Sequence, residues 1–182
     1  MNHFKIMKYI YLLVLLLIPF SLFSQESSDS FYKIEINTGE KPECISCASL
    51  YNRSLDNFLR IDATGATDVV IKIINSNTHE CIRTVFIRSG IVYEIKNIPE
   101  GIYYLKIAYG YDWSKKVEGD YCYAKFVRDA NYQEGNDHLD FYKVNLQNGY
   151  QLPSYELILK VISGNRNNEF DADNISEEEF YR

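Results

Sequence analysis

Positive charge is nowhere concentrated in this chain: 19 Lys and Arg are dispersed among 25 Asp and Glu, for a net charge of −6 over 182 residues. Without a basic face there is nothing to neutralise a phosphate backbone, which argues against nucleic acid as a partner. Histidine is scarce, at three residues, and no Gly-X-Ser-X-Gly elbow occurs. His79 and His138 stand far apart in sequence, beside Glu80 and Asp137, so a nucleophile–base pair has no local frame and no catalytic residue is assigned. Long apolar runs are also missing. The run 9–18 holds 10 residues, about half of what a bilayer core demands. What is abundant is aromatic: 16 Tyr, 10 Phe and one Trp, a composition that excludes intrinsic disorder and supplies a core for one domain.

The short apolar run has a different use. Lys5 and Lys8 precede it, Pro19 breaks it, and the polar stretch from Gln25 follows. A basic start, a short apolar centre and small residues before a polar flip are the parts of a secretory signal peptide, expected at 1–24 with cleavage after Ser24. No Cys follows the apolar run, so a lipid anchor has no acceptor. Cleavage removes two positive charges and turns the −6 chain into a −8 domain of 158 residues.

From residue 68 the hydrophobic period is two. In 68–75, Val69, Ile71 and Ile73 share a face opposite Lys72; 81–88 returns; 91–96 puts Ile91, Tyr93 and Ile95 opposite Glu94 and Lys96. The turn Asn97-Ile98-Pro99-Glu100-Gly101 leads into 102–109, with Tyr103, Leu105, Ile107 and Tyr109 inward and Lys106 outward. Further strands are expected at 121–128, 141–146 (Tyr142, Val144 and Leu146 inward) and 155–162, with an extra one at 58–62, while 110–120 and 129–138 read as loops. About seven strands and almost no helix predict an all-β, antiparallel two-sheet sandwich. The chain then divides into an N-terminal extension at 25–57, the sandwich at 58–165 and an acidic tail at 166–182. Ser176 and Glu179 match a capping box, allowing one short helical turn in a tail otherwise expected to be solvated.

The residues 68–112, and above all Ile98-Pro99-Glu100-Gly101-Ile102-Tyr103 entering a strand, resemble the carboxypeptidase regulatory-like, prealbumin-like (transthyretin-like) β-sandwich modules. With 81–90, Tyr109-Gly110-Tyr111-Asp112-Trp113 and Tyr155-Glu156-Leu157-Ile158-Leu159, the chain is similar to a group of uncharacterised exported bacterial proteins. The resemblance implies a sandwich fold and an extracytoplasmic setting. It carries no catalytic residues; Pro99 and Gly101 transfer only as turn-formers.

Four cysteines, Cys44, Cys47, Cys81 and Cys122, are an even number in a chain read as exported, which favours disulfides with three possible pairings. Cys44-Ile45-Ser46-Cys47 is also a Cys-X-X-Cys; a helix over 48–57 would lower its thiol pKa and give a periplasmic thiol–disulfide redox protein. Tyr109, Tyr111 and Trp113 alternate around a strand end and offer a binding surface, as in a carbohydrate-binding accessory domain. Asp129 to Asp140 and Asp171 to Asn174 loosely match calcium loops, but Gly135 is displaced in the first and Gly is absent from the second, so no metal site and no cofactor is assigned. The expectation is a secreted or periplasmic binding or structural module, non-enzymatic, whose partner is a protein or glycan at the bacterial envelope.

Overall fold

The computed structural model describes residues 30–160 and 171–182. The expected leader, the end of the strand predicted to reach residue 162 and the start of the tail lie outside the described residues. Those residues form β1 (Tyr32–Lys33), β2 (Phe58–Gly65), β3 (Asp68–Asn75), β4 (Cys81–Ile87), β5 (Val92–Lys96), β6 (Ile102–Glu118), β7 (Tyr121–Gly135), β8 (Leu139–Asp140), β9 (Val144–Leu146), β10 (Gly149–Gln151), β11 (Tyr155–Lys160), β12 (Ala172–Ile175) and one helix, α1 (Glu177–Tyr181). The fold is all-β and sandwich-like, with more strands than the seven expected.

The main sheet has seven strands, with β12-β7-β6-β3-β4 in line and β1 and β8 also paired to β6. A three-stranded sheet, β11-β2-β5, faces it, and β9 and β10 make a separate hairpin. One departure from an antiparallel sandwich is the parallel pairing of β11 with β2. Between the two sheets sit the alternating residues of β3 (Val69, Ile71, Ile73) and β6 (Tyr103, Leu105, Ile107, Tyr109), against Leu59, Ile61, Ile95 and Leu159. This is the period of two that the sequence displays, because alternate side chains of a strand share one face.

The turn before β6 is held from outside. Asn57, buried, donates from Nδ2 to the Ile98 carbonyl at 2.9 Å and accepts from the Ile98 N–H at 2.8 Å. The Tyr103 hydroxyl donates back to the Pro99 carbonyl at 3.1 Å. A Cβ on Gly101 would lie 2.6 Å from that same hydroxyl, so only glycine allows the ring to close over the turn.

Both expected loops flanking residue 120 are strand. β6 runs on to Glu118 and β7 returns as far as Gly135, pairing from Glu118 opposite Tyr121 to Lys106 opposite Glu134. The run is interrupted by a bulge between Tyr109 and Tyr111, with Asp112 and Asp129 at φ 57 and 53. A bulge adds a residue and reverses which face later side chains take. Hence Tyr109 enters the core between the sheets, whereas Trp113, four residues on, enters a second core on the opposite face of the main sheet.

That second core explains why β3 is buried on both faces. Val70, Phe86, Ala108, Trp113, Ala124, Phe126 and Tyr132 are covered by Ile36 and Ile45 of the N-terminal extension and by Phe180 of α1. The acidic tail is therefore not a solvated end. β12 pairs with β7, and α1 begins with the capping box expected at Ser176 and Glu179. Residues 48–57 form no helix.

Candidate functional site

The cysteines join the extension to the sheet at two points. Cys44 bonds Cys122 near the tip of the β6–β7 hairpin, and Cys47 bonds Cys81 at the start of β4, each with Cα atoms 5.0 Å apart. On either side of them the extension runs along the edge of β4: the Ala48 and Leu50 amides donate to the Cys81 and Ile82 carbonyls, the Gly39 amide donates to the Phe86 carbonyl, and the Phe86 amide donates to the Glu40 carbonyl. An exposed edge strand is thereby covered. The vicinal Cys44–Cys47 bond that a redox centre requires is not formed, and no helix follows to lower a thiol pKa. Arg83 completes the seam. Its buried guanidinium donates to the Lys96, Asn97 and Leu50 carbonyls, and its planar face lies 3.7 Å from the Tyr51 ring centroid.

The aromatic trio does not form a stacking platform. Trp113 is 2 % exposed, with Phe126 edge-on at 4.8 Å and Phe86 at 6.4 Å. Tyr109 is buried on the opposite face, and only Tyr111 reaches the surface, where Arg128 lies 4.4 Å from its ring centroid. The bulge is the physical reason: it splits three rings that strict alternation would have aligned. Tyr142, Val144 and Leu146, expected inward, are exposed because β9 pairs only with β10 and packs in neither sheet, and Ile91, expected to share the inward face of Tyr93 and Ile95, lies before β5 and is exposed too. The candidate calcium loops are also strand, since Asp129 lies in β7 and Ala172 to Asn174 in β12. Among the described residues no group of three metal-ligating side chains occurs.

His79 and His138, distant in sequence, meet at one end of the main sheet. Both rings lie against Tyr104, with centroids 6.3 and 6.2 Å away. Ser76 Oγ and His138 Nδ1 share a hydrogen bond of 2.8 Å. This meeting follows from the order β7-β6-β3, which brings the β3–β4 turn and the β7–β8 connection to the same end.

On the other face of the sheet, two strand lysines that the alternation places opposite the main core are buried under α1. Lys72 Nζ donates to the Phe180 carbonyl at 2.8 Å and Lys106 Nζ to the Glu179 carbonyl at 2.6 Å. These are the last carbonyls of α1, which have no partner within the helix and favour a cation. Glu177, at the helix start, accepts from the Tyr123 and Tyr132 hydroxyls and from Lys125. Burial pushes its carboxyl up, but these three donors and the Lys125 charge hold it below the usual range.

Burial, reinforced by Lys106, lowers the Lys72 amine from 10.5 to about 8. Below pH 8 the group is protonated in both states and its burial costs about 3 kcal/mol. Between pH 8 and 10.5 the unfolded chain still holds a proton that the folded chain has released, so stability rises with pH. Burial raises the Tyr123, Tyr132 and Tyr181 phenols, and Glu177 adds to each shift. Their unfolded counterparts ionise near pH 10, so stability falls above that. Urea midpoints measured across this range are expected to peak between pH 8 and 10, and Lys72→Met to remove the rising limb while leaving the fall.

No family model matches this chain, no curated protein matches it, and no solved structure matches it. The likeness to prealbumin-like modules accordingly stays a sequence expectation. The two disulfides fit an oxidising compartment. No helix among the described residues is long and apolar enough to cross a membrane.

Proposed function

We propose that the protein is an exported, non-enzymatic binding module of the bacterial envelope or exterior, and that its contact surface is the β9–β10 hairpin. The signal-like start, the two disulfides and the resemblance to exported bacterial proteins support the setting. One observation carries the surface. The hairpin belongs to neither sheet, and it presents Tyr142, Val144, Leu146 and Tyr150, each about half exposed, in one stretch of chain. Its base is anchored, since the Tyr142 amide donates to Asp140 and the Lys143 amide to Glu100. Two-stranded hairpins are marginal alone, and exposed tyrosines and aliphatics on such an element match the composition of protein contact surfaces. A protein partner suits this face better than a glycan, because Val144 and Leu146 give no hydrogen bonds and no flat ring.

A photo-crosslinking residue placed at Val144 or Tyr150 and exposed to envelope extract is expected to yield one discrete adduct. The same residue at Tyr121, more exposed than either and on the β6–β7 tip, serves as control. Adducts indistinguishable between hairpin and tip would remove this surface, and binding on a glycan array with no protein adduct would replace the partner class.

A further inference from the structure

We infer that the mouth of the sandwich beside β11 is a binding site for a small apolar ammonium ion. Among the described residues the three-stranded sheet ends at β11, which pairs only with β2, and β8 closes the opposite sheet above it. Between them lies a cleft of about 310 Å³. That is within the lower range of ligand pockets. Leucines from four strands, Leu59, Leu105, Leu139 and Leu157, make it apolar, and Asp137, His138, Tyr155 and Glu156 complete its lining.

Two of the polar lining residues are held in place before any ligand arrives. Tyr155 is locked by its hydroxyl, which donates to the Asp140 carbonyl at 2.8 Å and accepts from the Asp140 amide at 3.1 Å. The His138 ring is pinned between Ser76 and Tyr104. Fixed walls spare a ligand the cost of ordering them.

Charge decides the ligand class. The lining contains two carboxylates and neither Lys nor Arg. Arg60 reaches Glu156 at 2.9 Å, but it also bonds Glu94, which in turn takes Lys96. Glu156 is thus largely answered from behind, and Asp137 is the carboxylate that most favours a cation. An apolar body with one ammonium head fits this combination; a carboxylate of the same length would meet the like charge of Asp137.

The test is an amide-resolved NMR titration of the oxidised protein with hexylammonium, hexanol and hexanoate at constant ionic strength. Hexylammonium is expected to shift the amides of Asp137, His138, Leu139 and Leu157 saturably, and to bind about threefold tighter than hexanol. Hexanoate is expected to bind more weakly than both. Asp137→Asn, a change at an exposed position, should bring hexylammonium down to the level of hexanol. Absence of saturable shifts up to the solubility limit of the amine would overturn the site. Equal binding of hexanoate, or an unchanged affinity in Asp137→Asn, would overturn the charge assignment. Shifts confined to the β9–β10 hairpin would place the amine elsewhere; the hairpin surface and this cleft stand or fall separately.

Discussion

Replacing Cys44 and Cys122 together by serine lowers the free energy of unfolding by about 4 kcal/mol, read as a shift of the urea midpoint at unchanged slope. The bond closes a separation of 78 residues, and the inner Cys47–Cys81 bond closes 34 of them. With the inner bond intact the outer loop is effectively shorter, so its entropy is that of a loop of intermediate length. Replacing Cys47 and Cys81 gives a loss of similar size, because the logarithm of loop length varies slowly. A domain of this size has roughly 5–15 kcal/mol in total, so either loss is a large fraction and both together leave little. The structure adds a local expectation. Without the inner bond, the amides of Ala48 and Leu50 lose the covalent tie beside their β4 acceptors. Hydrogen exchange at these two amides should accelerate more than at Ile71 or Ile107 in the sheet interior. Uniform acceleration through the whole sheet would mean that the extension is part of the global folding unit and not a strap tied to it.

The strand positions from 68 to 109 were legible in the sequence because one physical rule, alternation toward a single core, governs them. Val69, Ile71, Ile73 and Tyr103 to Tyr109 fall where that rule puts them. The rule fails beyond Tyr109 because the bulge between Tyr109 and Tyr111 changes the phase, and only Gly110 hints at it: a Cβ there would lie 2.5 Å from the Phe126 Cβ. Trp113 therefore read as a surface ring when it is a core ring. Lys72 and Lys106 misled in a related way. Alternation put them on the face away from the main core, which is correct, but that face is covered by segments at both ends of the chain. Both donate to backbone carbonyls of α1, which no sequence pattern marks, and Lys106 also pairs with Glu134 at 3.3 Å. Disulfide pairing was equally hidden, because it depends on where the extension crosses β4 and where the β6–β7 hairpin ends. The His79, His138 and Ser76 cluster needed the strand order, and the cleft beside β11 needed the parallel pairing that places this last long strand at a sheet edge.

Phe180→Ala is the sharpest test of whether the tail belongs to the fold. A solvated residue near the end of a chain would change stability by no more than about 0.5 kcal/mol. Phe180 is fully buried, with Tyr132 at 5.3 Å and Tyr181 at 5.1 Å, and Lys72 Nζ lies 5.4 Å from its ring centroid. Truncating such a ring costs about 3–5 kcal/mol, the transfer term plus the cavity left behind. The substitution also acts on Lys72. Removing the ring lets water reach the amine, whose pKa then returns from about 8 toward 10.5. The rise in stability between pH 8 and 10.5 should therefore shrink in Phe180→Ala, as it does in Lys72→Met. Because Phe180→Ala relieves part of the desolvation that Lys72→Met removes outright, the two together are expected, below pH 8, to cost more than the sum of the single changes, by about 0.5 kcal/mol or more, within the range seen for residues in contact. Strict additivity, or a loss below 1 kcal/mol for Phe180→Ala alone, would detach α1 from the sheet and return the tail to solvent. With α1 detached, Glu177 loses Tyr123, Tyr132 and Lys125, and the second core keeps only the N-terminal extension as its cover.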